Sequence, residues 1–98
     1  MEQVTITRHG GGKAGEYHAH VEGQTGIGRL TWKARGTARV ADHTLVPTAI
    51  GGRGVAARLV EALVADARDQ GFTIVPQCSY VAAWFERHPA EADLLAPA

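Results

Sequence analysis

A chain of 98 residues falls within the size of one domain and can bury a modest single core, leaving little room for a separate substrate domain, so residues 1–98 are read as one unit. Ten basic and ten acidic residues cancel, which excludes an overall field that would draw in nucleic acid or an anionic membrane. No stretch approaches the roughly 18–20 apolar residues of a membrane span, no charged-then-apolar leader opens the sequence, and the single cysteine, Cys78, cannot close an internal disulfide; a soluble, cytoplasmic protein is expected.

Val4 to His9 alternates β-branched and polar residues, the run Gly10-Gly11-Gly12-Lys13-Ala14-Gly15 interrupts the pattern as a glycine-rich loop, and Glu16 to Val21 alternates again. A turn over Glu22 to Gly26 leads into Ile27 to Ala34, with Leu30 and Trp32 on one face. Gly36 separates this segment from Ala38 to Val46, which Pro47 terminates. Four such segments in succession predict an antiparallel meander.

From Gly54 to Gln70 the period changes. Val55, Leu59, Val60, Leu63, Val64 and Ala67 share one helical stripe, with Arg58, Glu61, Asp66, Arg68 and Asp69 assigned to the opposite side. Gly71 stops this helix, Phe72 to Val75 forms a short buried strand ended by Pro76, and a second helix is predicted from Ser79 to Arg87, closed by His88-Pro89. The tail carries one more turn around Glu91 to Leu95. Four strands, helix, strand, helix predicts an α+β sandwich in which the fifth strand joins the fourth in parallel through a right-handed crossover.

The segment Gly51-Gly52-Arg53-Gly54-Val55-Ala56 sits between a strand and a helix. Glycines there permit positive φ and close approach, and the first helical amides point unpaired at the same spot, so an anionic group is one expected occupant. A plain tight turn is the other. A nucleoside triphosphate loop is disfavoured, because the lysine and hydroxyl residue that would close it are missing. In a parallel pair, the Pro76-Gln77-Cys78-Ser79 segment lies at the same end as this turn, making Cys78 its neighbour as proton donor, nucleophile or buried filler. Alternation places His43 on the face of Ala41 and Leu45, a residue type suited to proton transfer near neutral pH. His18 and His20 share a strand face, one way to hold a transition metal, but no third ligand is evident and no metal is expected. Arg53 can pair with phosphate; Trp84 and Phe85 are assigned to the core, and Tyr80 is a packed residue or a phenolic donor.

Three segments together, His43-Thr44-Leu45-Val46-Pro47, Gly52-Arg53-Gly54-Val55-Ala56 and Pro76-Gln77-Cys78-Ser79-Tyr80-Val81 with Phe85 and His88-Pro89, resemble the minimal single-domain branch of the GNAT acetyltransferase superfamily over about residues 16 to 95. The resemblance implies a GNAT-like fold binding acetyl-coenzyme A as co-substrate. The amides of Gly52 to Ala56 would hold its pyrophosphate with Arg53 adding charge, and the pantetheine would lie between splayed strands against the main chain of Thr44, Leu45 and Val46. Gly51 stands where the superfamily commonly has arginine or glutamine, which removes one side-chain contact. The thioester would end near Cys78 and His43, with His43 as base, an amide near Leu45 or Val46 polarising the carbonyl, and Cys78 or Tyr80 protonating the departing coenzyme A. An acetyl-Cys78 route ranks below direct transfer, because nothing in the sequence marks a depressed thiol.

Two functions of different class follow: an N-acetyltransferase acting on a small amine or a protein lysine, and a coenzyme A binding or sensing module without turnover. The acceptor is not legible. Neither is the choice of monomer or homodimer, since an exposed meander edge can pair with a second chain or be covered by the tail.

Overall fold

The computed structural model describes residues 3–97. Its single mixed sheet has the order β1-β2-β3-β4-β5, formed by β1 (Val4–Gly11), β2 (Ala14–Val21), β3 (Ile27–Arg35), β4 (Ala38–Leu45) and β5 (Thr73–Pro76). The first four are antiparallel and β5 runs parallel to β4. Helix α1 (Val55–Gln70) makes the crossover, and α2 (Ser79–Arg87) follows β5. Short 3-10 segments occupy Thr48–Ile50 and Pro89–Leu94. The expected α+β arrangement is therefore the one formed.

The apolar stripe of α1 is buried as its period requires, and it packs on Tyr17, Ala19, Val21, Leu30, Trp32 and Ala41 from the inward face of the sheet. Val81, Trp84 and Phe85 of α2 join the same core. The other face of the β1–β3 ladder carries Thr7, His9, Glu16, His18, His20 and Thr31, where the register sets Thr7 opposite His18 and Glu16 between His9 and Thr31. The tail covers the free edge of β5, where Leu95 bridges Ile74 and the Ala96 amide donates to the Ile74 carbonyl at 2.9 Å.

Three expectations change. The glycine run after His9 is not a loop: Gly10 pairs with Gly15 and Gly11 with Ala14, leaving Gly12 and Lys13 as the turn. Ladder hydrogen bonds need no side chain, and the bare Gly15 lets the Trp32 ring lie where a Cβ would come within 2.6 Å of it. Asp66 is buried rather than on the solvent side of α1. Its carboxylate accepts from Arg8 at 2.8 and 2.9 Å and from the Tyr17 hydroxyl at 2.7 Å. Arg39, sandwiched between Trp32 and Phe72 at 3.9 and 4.1 Å from their ring centres, donates to the same hydroxyl at 3.2 Å. Burial alone would push the Asp66 carboxyl up, but the bonds from Arg8 and Tyr17 outweigh it and hold it below the ordinary range.

The third change falls on β4. The ladder slips between Thr31 and Trp32, so that Trp32 faces Ala41, Thr31 faces His43 and Asp42 has no partner of its own. The extra residue breaks the alternation. Ala41 and Thr44, opposite buried Trp32 and Leu30, turn toward the helices, whereas His43 turns to the other face and is exposed. The Thr31 hydroxyl donates to Asp42 at 2.6 Å, tying the bulged residue to that outer face.

Candidate functional site

β4 and β5 are paired only from Ala38 opposite Thr73 to Ala41 opposite Pro76. Beyond that point the chain after β5 turns away: the Gln77 amide donates to the Val75 carbonyl at 3.0 Å and the Cys78 amide to the Ala41 carbonyl at 2.8 Å. From Asp42 to Leu45, β4 has β3 on one side and, among the described residues, no strand on the other. The result is a gap beside β4, where β5 gives way to the start of α2. Cys78 closes its base as the residue that caps α2, with an extended backbone at φ −68° and ψ 131°.

The bulge decides what reaches this gap from the helical side. It turns Thr44 inward, where its hydroxyl accepts from the Cys78 thiol at 3.4 Å. Burial by itself would push the thiol up. The Thr44 hydroxyl and the backbone amides of Val81, Tyr80 and Thr44 outweigh that and bring it below the ordinary cysteine value. A sulfur at a helix N-terminus gains from the same unpaired amides and dipole that favour any anion there. Tyr80 is half-buried and packed against the core. His43 borders the gap from the opposite face, beside Leu45, which is 55% exposed. Val46 packs against the core. Cys78 and Thr44 are thus brought together, while His43 is separated from them by the thickness of the sheet.

At the same end of the parallel pair lies the turn Gly51 to Gly54. Gly52 and Gly54 have φ of 72°, a left-handed conformation that side-chain-bearing residues rarely adopt, and a Cβ on either would meet nothing within 4 Å. Gly54 is the N-cap of α1 and offers no side-chain acceptor, and no acidic residue occupies the first turn. The first bond of the helix is Arg58 amide to Gly54 carbonyl at 3.1 Å. The amides of Val55, Ala56 and Ala57 therefore have no intrahelical partner, and the positive end of a four-turn helix is left open to an anion. Gly51 has an extended backbone, and both Gly51 and Arg53 within the turn are exposed. The residues present fit a phosphate-bearing ligand.

The bulge and the buried Asp66 were not read from the sequence. Asp66 carried a signal: it lies three residues after Leu63 and seven after Leu59, on the stripe itself. The bulge carried none, since Asp42 is an unremarkable polar residue in an alternating run.

This fold, a mixed sheet whose parallel pair ends beside a bulge with an uncapped crossover helix at the same end, has a match among solved structures. The solution structure of a GCN5-like protein from Staphylococcus aureus matches it with a TM-score of 0.70, over 96% of this chain and 89% of that one, at 22% identity. The family model of the GCN5-related N-acetyl-transferases matches residues 16–94, and the chain belongs to that family. Among curated proteins none matches the sequence. No helix among the described residues is long and apolar enough to cross a membrane.

Proposed function

We propose that this protein is an acetyl-coenzyme A-dependent N-acetyltransferase that moves the acetyl group to a small amine or a protein lysine by direct transfer. The observation that carries the reading is the gap beside β4 where β5 gives way to α2, with Cys78 and Thr44 at its base and an open helix N-terminus at the same end. The turn from Gly51 to Gly54, with the amides of Val55 and Ala56, receives the pyrophosphate, and Arg53 adds charge from within the turn. The pantetheine takes the place of a missing strand beside Thr44, Leu45 and Val46, and an amide of Leu45 or Val46 polarises the thioester carbonyl.

A ligand in such a gap is accessible from both faces of the sheet. The amine approaches on the open face, where His43 takes the proton that nitrogen loses as the new C–N bond forms. The C–S bond breaks, and the coenzyme A thiolate takes a proton from Cys78 on the helical face, with the Tyr80 phenol as the second candidate donor. The bonds that lower the Cys78 thiol stabilise the thiolate it becomes, and solvent returns its proton. One observation favours a second route: the same bonds make Cys78 a better nucleophile than its sequence alone announces, so that transfer through an acetyl-Cys78 thioester is the competing reading.

The test is calorimetry of acetyl-coenzyme A and coenzyme A against the wild type and Gly54→Glu, which places a carboxylate in the cradle, followed by turnover with a panel of amines. Saturable one-site binding, lost in Gly54→Glu, is expected. His43→Ala and Cys78→Ala should keep binding and lose turnover. Binding without turnover in the wild type would leave a coenzyme A binding module, and no binding would overturn the reading. Mass spectrometry after exposure to acetyl-coenzyme A distinguishes the routes: a stable 1:1 acetyl adduct on Cys78 that an amine discharges would replace direct transfer.

A further inference from the structure

We propose that His9, His18 and His20 form a site for a divalent, imidazole-preferring transition metal on the face of the sheet that the helices do not cover. His18 and His20 are two apart on β2, and the register that sets Thr7 opposite His18 and His9 opposite Glu16 brings His9 diagonally beside His18. One ring nitrogen from each of the three lies within 4.8 Å of the others. The His9 and His18 rings stack at 3.9 Å. The Thr7 hydroxyl gathers His9 and His20, 2.8 and 3.0 Å from their Nε2 atoms. Zinc–nitrogen bonds of about 2.0–2.1 Å set neighbouring ligand nitrogens roughly 3.3 Å apart, so closing on an ion requires shifts of about an ångström in rings that are exposed or half-buried.

The surroundings select the ligand atom. Glu16 Oε1 lies 2.8 Å from His18 Nε2. A proton shared there fixes the tautomer and leaves the Nδ1 lone pair for a metal, the arrangement by which carboxylates orient metal-bound imidazoles. A depression of about 400 Å³ borders the cluster on the His9 side, with His9 and Glu16 in its wall beside Thr31 and Asp42. Two cations border the site: Arg29, opposite His18 on β3, and Lys33, in the wall of the depression that His9 and Glu16 also line. Three imidazoles with an open position suit zinc, copper and nickel rather than magnesium or calcium. The site joins β1 to β2, and His9 lies outside the residues 16–94 matched by the family, whereas His18 and His20 lie within them.

The experiment is titration of tag-free protein with zinc chloride against a chromophoric chelator, with cobalt(II) absorption reporting coordination geometry. Uptake of one zinc per chain in the micromolar range is expected, with a four-coordinate cobalt spectrum. His9→Gln, His18→Gln and His20→Gln should each weaken binding at least tenfold, and Glu16→Gln about tenfold. Zinc should raise the melting temperature of the wild type and not of the histidine variants, whose circular dichroism shows whether they remain folded. No stoichiometric uptake at micromolar zinc, or uptake undiminished in folded His18→Gln and His20→Gln, would overturn the proposal.

Discussion

Replacing Thr44 by valine preserves the shape of the side chain and removes one hydrogen bond from the Cys78 sulfur. In the thiolate state that bond is charge-assisted, a type that contributes about 1.5–3 kcal/mol. At 3.4 Å it is long, the sulfur is half-buried, and three backbone amides share the charge, which argues for the low end, about 1.5 kcal/mol. Since 1.36 kcal/mol corresponds to a factor of ten, Thr44→Val should cut the thiolate population at neutral pH about tenfold. The thiolate that remains is more nucleophilic, with a Brønsted coefficient of about 0.4–0.5, so the net alkylation rate at neutral pH should fall about threefold to fourfold. Because the chain has one cysteine, the rate of reaction with iodoacetamide between mildly acidic and alkaline pH reports Cys78 alone. The rate–pH profile of Thr44→Val should move to higher pH, and Thr44→Ser, which keeps the hydroxyl, should follow the wild type. A Thr44→Val profile that overlays the wild type or moves to lower pH would refute the Thr44 hydroxyl as one of the groups that lower the thiol.

Asp66→Ala leaves the buried Tyr17 hydroxyl proton without its acceptor, while Arg8, half-exposed, returns to water. The cost should be about 2–3 kcal/mol, or roughly 10–20 °C in melting temperature, and should shrink in a Tyr17→Phe background, as denaturant titrations of the four-member cycle would show. The folded Asp66 carboxyl is held below its ordinary value of 3.8. Its contribution is therefore complete above that value and fades as pH falls through the lowered one, so the gap between wild type and Asp66→Ala should be widest near neutrality and narrow in acid. Gly15→Ala places a Cβ 2.6 Å from the Trp32 ring and 2.8 Å from the His9 carbonyl, and should destabilise by about 1–3 kcal/mol in the same titration.

The sequence by itself determined what depends on local period and on punctuation. The stripe from Val55 to Ala67 buries as a helix because its spacing matches 3.6 residues per turn, and Pro47, Gly71 and His88-Pro89 mark where elements end because they limit backbone geometry wherever they stand. The glycine turn before α1 was legible for the same reason. What only the tertiary structure decided depends on pairing between distant segments. A single unpaired Asp42 reverses the faces of Thr44 and His43, and alternation within β4 cannot reveal an insertion defined only against β3. Asp66 looked like solvated surface until Arg8 from β1 and Tyr17 from β2 arrived beside it, 58 and 49 residues away in sequence. His9 likewise becomes the third member of a histidine cluster only through the β1–β2 register. Each of these side chains takes its charge, face or partner from a residue on another strand or helix, and such relations exist only once the ladder has closed.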